Sequence, residues 1–211
     1  MSYAAQLAHL WQARGFRALT RVRVLGQAGD GAFQFGIATA FFFDPTHATT
    51  PRDIAIGFAT LFAPFTLVGP FVGPLIDRWQ RQRIVLVANV VRVAMVVLIA
   101  ASIVSSAPGY LKYVLALLTL SVNRFLLAAL TAGIPRVVNE DDLLTANSIQ
   151  PTLGTIAAAL GGAVGGVITI IAPRVSDEYR ALIGLALAGL LFAAASIASV
   201  ALSRRSLGPV D

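Results

Sequence analysis

Residues 73–86 read GPLIDRWQRQRIVL, and how this stretch is understood decides the fold. Gly73 and Pro74 lead into one carboxylate, Asp77, and three arginines follow at once: Arg78, Arg81 and Arg83. The sequence on either side is apolar, near Ile54–Ile76 before and Ile84–Ile103 after. Each flank is about twenty residues, the length an α-helix needs to cross the hydrocarbon core of a bilayer. The charge therefore marks a short connection between two membrane spans, where arginine records which side the loop occupies.

The rest of the chain agrees with a membrane setting. Its 211 residues are 57% hydrophobic and 12% charged, with a mean hydropathy of +0.78. Soluble domains carry about a quarter charged residues, and one soluble core of this size cannot hide so much apolar surface. The formal net charge is +6, and fifteen of the sixteen basic residues are arginine. They fall in short clusters between apolar runs, without an aromatic-interleaved basic face or a nucleic-acid motif, so no nucleic-acid partner is expected. Cysteine is absent, which excludes disulfides, thiol catalysis and thiolate metal sites.

Six apolar runs read as spans, near Val24–Phe43, Ile54–Ile76, Ile84–Ile103, Tyr110–Ile134, Ala146–Ile171 and Ala181–Leu202. Runs of this length satisfy their backbone groups in lipid only as helices. The expected fold is an all-α membrane protein with six transmembrane helices over 24–202. Residues 1–23 precede it as a cytosolic or interfacial segment, and 203–211 read as the start of a cytosolic linker. Leu7, Leu10, Trp11 and Phe16, set among Arg14, Arg17, Arg21 and Arg23, predict a helix lying along the interface. The long charged stretch and the full-length span behind it are unlike a cleaved signal peptide.

Orientation follows from the basic residues. A cytosolic N-terminus places Arg14, Arg17, Arg21, Arg23, Arg78, Arg81, Arg83, Arg136, Arg204 and Arg205 inside, and Arg52, Lys112, Arg174 and Arg180 outside. Ten against four favours that arrangement, and an even number of spans returns the C-terminus to the cytosol. Glu140, Asp141 and Asp142 make one inner loop acidic, but acidic residues weigh little in this rule.

In this setting the opening stretch resembles the signature loop of the major facilitator superfamily (MFS), roughly G-x-L-A-D-R-x-G-R-R, which follows the second span. Gly73, Leu75, Asp77, Arg78, Arg81 and, one place late, Arg83 match it, while Gln80 stands where a second glycine is usual. Three further stretches look like the enterobactin-exporter-like drug efflux branch: GDGAFQFG at 29–36, NRFLLAALTAGIPRVV at 123–138 and LLTANSIQPTLG at 143–154. The resemblance implies the N-terminal six-helix half of a twelve-helix secondary transporter, built as a 3+3 inverted repeat. It implies a proton-coupled exporter of small amphipathic molecules in the bacterial inner membrane, with both termini cytoplasmic. It also implies a conformational latch in the loop. Gly73 would let a neighbouring helix approach, Asp77 would accept hydrogen bonds from a helix N-terminus of the opposite bundle, and Arg78 and Arg81 would hold the loop and face anionic headgroups, with Arg83 completing the latch loop.

Three ionisable residues stand inside the spans: Asp30, Arg92 and Arg124. Such residues are costly at bilayer depth unless paired or hydrated, which makes them functional candidates. Counted from the nearest flanking arginine at about 1.5 Å per residue, they lie roughly 10, 13 and 18 Å deep, all in the inner half of the membrane. The expected pair is Asp30 with Arg124, with Arg92 sharing it or reaching the interface. Protonating Asp30 would then release an arginine, a coupling step for proton-driven export; a permanently charged structural pair is the alternative. Gln34, one turn beyond Asp30, and Asn123 are candidates for the substrate cavity, and Asn89 and Asn123 also suit polar contacts between helices.

The fifth span carries LGTIAAALGGAVGG, in which Gly154, Gly161 and Gly165 share one helical face and Gly162 and Gly166 another. Small residues in this pattern permit close helix packing. Drug–proton antiporters of the superfamily have G-P-x-x-G-G here, and Gly162 replaces the proline. His9 and His47 lie outside the spans, and no zinc-helix, phosphate-loop or dinucleotide pattern is present, so no enzyme activity, cofactor or metal is expected. Three readings stay open: half of a larger exporter, a half-transporter that pairs with a second copy, and a non-transporting membrane subunit. The expected partners are the lipid bilayer, a small-molecule substrate, protons, and a C-terminal half or second copy.

Overall fold

A computed structural model describes residues 3–42, 80–105 and 107–202, together with Arg52 and Ala55. The second expected span, 54–76, and the latch residues Gly73, Asp77 and Arg78 lie outside the described residues, as does the linker from 203 onward. The described residues are helical, without strands. They form α1 (Tyr3–Gln12), α2 (Arg14–Phe42), α3 (Arg81–Val104), α4 (Gly109–Gly133), α5 (Leu143–Ile171) and α6 (Asp177–Val200), with 3-10 turns at Ile134–Arg136 and Glu140–Asp142. Four helices, α3 to α6, are long and apolar enough to cross a membrane. The six-span expectation reduces to these four among the described residues. α2 has the length, at 29 residues, but Arg14, Arg17, Arg21, Arg23 and Asp30 make it more polar.

The N-terminal segment divides differently from the sequence expectation. Instead of one interfacial stretch through residue 23, the chain breaks at Ala13, and the arginines of 14–23 belong to the same unbroken helix as Asp30. Phe16, Leu19 and Val22 explain this, because all three are fully buried and draw those turns into the bundle. α1 folds back on the 3-10 turn that precedes α5. His9 Nδ1 lies 2.8 Å from Asp142 Oδ2, Thr145 Oγ1 lies 3.2 Å from Gln6 Oε1, and Leu10 is buried beneath.

Local signals account for the other ends. Ser176 caps α6 by accepting from the Tyr179 amide at 3.4 Å, and Asp177 and Glu178 complement the positive end of the helix dipole. Arg180 donates to Asp177 at 2.7 Å and to the Pro173 carbonyl at 2.8 Å, which ties down the turn from α5.

α2 packs along α5 and α6, α6 packs on α3, and α3 packs on α4. The side chains sort in the sense expected of a protein in lipid. Leu144, Ile170 and Ile197 are at least 74% exposed, whereas Asp30 and Arg92 are at most 2% exposed. Two apolar clusters fill the interior. One contains Phe16, Leu19, Val22, Ile84, Val85, Leu126 and Leu130. The other contains Phe33, Ile37, Val96, Ile99, Ala116, Leu185 and Phe192. Between Val22 and Ala32 on α2, Ala88 and Val96 on α3, and Leu120 and Leu126 on α4, the core contains a polar layer instead.

Candidate functional site: a buried charge cluster

That layer is centred on an ion pair between Asp30 of α2 and Arg92 of α3. The arginine Nη2 donates to Asp30 Oδ1 and, at 3.2 Å, to the carbonyl of Gly26; Nη1 donates to Asn89 Oδ1 at 3.2 Å. Asn89 is itself oriented by its amide, which donates to the Val85 carbonyl at 2.9 Å. The other carboxylate oxygen, Oδ2, accepts from Gln27 Nε2 at 2.7 Å. Each oxygen of Asp30 thus has its own donor, and the two donors differ in access: Arg92 is sealed, while Gln27 is only partly buried.

The expected pairing of Asp30 with Arg124 is corrected by this arrangement, in which Arg92 holds the carboxylate directly. Helix depth gave Asp30 and Arg92 similar heights, and α6 supplies the bridge between them. α2 and α3 both pack on α6, and the Arg92 guanidinium lies 3.6 Å from the centroid of the Phe192 ring. An arginine laid flat on an aromatic face gains cation–π attraction where water is excluded. Arg124, on α4, is half-buried and acts on Asp30 through its charge, and the Asn123 side chain also reaches the carboxylate. The three ionisable residues singled out from the apolar runs and Asn123 therefore converge on one place. Gln34 is exposed on α2, one turn along from Asp30, and is not part of the cluster.

Close approach of α5 to α2 closes another side. A Cβ at Gly31 would overlap the Ala158 carbonyl oxygen, and one at Gly161 would overlap the Ala28 carbonyl oxygen, so the two backbones touch. Gly165 faces the Phe35 ring, and a Cβ at Gly154 would sit 3.3 Å from both Arg23 Nε and Gln27 Cγ. Gly162 makes ordinary contact with the Gly31 backbone. Gly166 departs from the packing expectation: a Cβ there meets nothing within 4 Å, because it is turned about 100° around the helix from Gly165. Of the latch residues, Arg81 is half-buried and Arg83 exposed in the first turn of α3.

Two members of the site escaped the sequence reading. Gln27 lies three residues before Asp30, a spacing that places both on one face of a helix, and that signal was available. Phe192 was one apolar residue among many in its span, and nothing local distinguishes it.

No protein-family model matches the chain, and no solved structure matches significantly. Among curated proteins, an uncharacterized MFS-type transporter of Mycobacterium bovis and one of Mycobacterium tuberculosis are each 39% identical over 146 residues, covering 69% of this chain and 33% of the relative. An uncharacterized protein of Mycobacterium leprae is 27% identical over 164 residues, covering 74% of this chain and 28% of the relative. The chain is thus distantly homologous to MFS-type transporters and spans about a third of the length of the curated relatives it matches. Four candidate spanning helices and this homology to mycobacterial transporters describe a bacterial membrane protein.

Proposed function

We propose that the chain is the N-terminal six-helix half of a secondary active transporter, and that the whole exports small amphipathic molecules in exchange for protons. The observation that carries this reading is the Asp30–Arg92 pair, a titratable carboxylate matched to an arginine from another helix inside an apolar bundle. In the resting arrangement the carboxylate is ionised and neutralises Arg92. A proton arriving at Oδ2, the oxygen served by Gln27, removes that compensation. The cationic guanidinium is then left against Phe192 with only neutral acceptors, Gly26 and Asn89. A buried charge without its partner is costly by several kcal/mol, enough to bias a bundle between two orientations.

The helix contacts support a 3+3 repeat. If α2, α3, α4 and α6 are the first, third, fourth and sixth spans, exchanging the two triplets converts the α2–α6 contact into the α4–α3 contact and leaves α3–α6 unchanged; all three are present. Both termini would face the cytoplasm, and a second six-helix bundle would complete the cavity.

The test is Asp30→Asn in vesicles holding the complete transporter, with efflux of a lipophilic dye driven by an imposed pH gradient. The expected result is loss of gradient-driven efflux with dye binding retained. Efflux equal to that of the wild type removes Asp30 from coupling.

A further inference from the structure

α2 carries a polar stripe that begins well before Asp30. At about 100° per residue, Thr20, Arg23, Gln27, Asp30 and Gln34 fall within an arc of roughly 80°. The first two are buried against α5: Thr20 is 4% exposed and Arg23 is 7% exposed. Thr20 Oγ1 donates to the Phe16 carbonyl at 2.8 Å and accepts from Gln150 Nε2 at 2.6 Å. Beyond these bonds the layer is incomplete. Arg23 Nε and Nη1 have no hydrogen-bond partner, and neither has Gln150 Oε1. Two orphaned donors and one orphaned acceptor therefore sit about one helical turn apart on the facing surfaces of α2 and α5.

Buried polar atoms without partners are expensive, and in native proteins water commonly satisfies them. The mixture of orphans identifies the missing group. An anion would serve Arg23 but be repelled by the Gln150 oxygen, and a cation would do the reverse. Water both accepts and donates. Gly154 lets these side chains lie close against α5 at this level, since a Cβ there would sit 3.3 Å from both Arg23 Nε and Gln27 Cγ. Gln27 then joins this layer to Asp30 through its 2.7 Å hydrogen bond.

We propose that Thr20, Arg23, Gln27 and Gln150 line a hydrated route that carries protons from the N-terminal end of α2 to Asp30. Gln27 is the positioning residue at its inner end. It holds Oδ2, and rotation of its amide exchanges a donor for an acceptor when the carboxylate is protonated. The fixed charge of Arg23 keeps an excess proton from resting beside it, so Asp30 is the place where the proton stops. This inference rests on the proton-coupling reading of Asp30.

The chain has no cysteine, so a single introduced thiol reports on water access without background. Gln27→Cys and, as a dry control, Val22→Cys within the apolar cluster are exposed to a membrane-impermeant methanethiosulfonate from the face carrying the N-terminus. The expected result is modification at position 27 and none at position 22. Adding Arg23→Leu to Gln27→Cys makes the layer apolar and slows modification about tenfold, the equivalent of roughly 1.4 kcal/mol, whereas Arg23→Gln leaves it fast, with Val22→Cys still unmodified in that background to show that the bundle folds. An unmodified thiol at position 27, or modification indifferent to Arg23→Leu, overturns the route. If the thiol is unmodified while Asp30→Asn still abolishes coupling, the route alone falls. If the thiol is modified while Asp30→Asn transports normally, the coupling reading falls and the hydration stands.

Discussion

The ion pair allows a quantitative test that needs no substrate. Asp30→Asn preserves the shape of the side chain and removes its charge. Arg92 then keeps the Gly26 carbonyl, the Asn89 oxygen and the Phe192 face, so the loss falls at the lower end of the range for breaking a buried pair, about 3 kcal/mol. Arg92→Gln costs more. It strands a carboxylate with only the neutral amides of Gln27 and Asn123 close to it, and it forfeits the bond to Asn89 and the aromatic contact, which places it near the upper end, about 5 kcal/mol. The double variant leaves neither member of the pair facing the site without its counter-charge. It should be less destabilised than the sum of the singles by about 2–3 kcal/mol, the coupling expected of residues in direct contact. Reversible unfolding in mixed micelles, followed by helical circular dichroism, measures all four proteins. Additivity of the two singles would falsify the pair as an energetic unit, and Asp30→Asn proving worse than Arg92→Gln would show that the neutral acceptors around Arg92 contribute little.

Three further expectations concern packing. Gly161→Ala or Gly31→Ala drives a methyl group into a facing carbonyl, so α2 and α5 must separate at a cost of about 1–3 kcal/mol, whereas Gly166→Ala has open space and gains up to about 1 kcal/mol from helix propensity; thermal melting in detergent reads the opposite signs. Phe192→Ala removes the ring beneath Arg92 and leaves a cavity between α2, α3 and α6, costing about 3–5 kcal/mol, while Phe192→Tyr keeps the ring face and should cost much less in the same melt. His9→Ala breaks the contact with Asp142 that docks α1, worth about 1 kcal/mol, and limited proteolysis near Ala13 should accelerate about fivefold while the remaining helices stay protected.

Much of the helical arrangement was legible because an apolar run of membrane-spanning length has few alternatives in lipid. α3, α4, α5 and α6 follow such runs closely. The division at Ala13 was not legible, because arginine clusters carry the signal of an interface. Burial of Phe16, Leu19 and Val22 shows up only when a neighbouring surface is present to receive them. The charge cluster was half legible. Asp30, Arg92 and Arg124 stand out as ionisable residues in apolar runs, and counting residues gives each a depth. Depth does not give azimuth, however, and the choice of Arg92 over Arg124 as the direct partner depends on α6 lying beneath both α2 and α3. The close glycine contacts had a spacing signal, but which of the adjacent Gly165 and Gly166 meets α2 depends on where α2 crosses α5.

The position of the cluster constrains how a change there can be felt elsewhere. Apolar clusters lie above and below it, and close-packed interiors transmit displacement because they have little slack to absorb it. Arg92 is anchored at its backbone in α3, and the first turn of the same helix carries Arg83 and Arg81, nine and eleven residues earlier. At about 1.5 Å per residue, those arginines lie roughly 13–17 Å along a continuous helix from the buried guanidinium. An altered charge at Asp30 therefore acts first on Arg92, and through α3 on its first turn, where Arg81 and Arg83 stand. The loop that reveals the fold in the sequence and the ion pair that organises the interior are joined by one rigid element. A variant that breaks this element, such as Leu98→Pro, whose ring disturbs the helix at residue 94 beyond the pair, compared with Val87→Pro between the pair and the first turn, separates the two effects: in the response of a spin label at position 83 to Asp30→Asn, only the second removes the signal, while the α3–α6 contact at Phe192 still holds Arg92 in place.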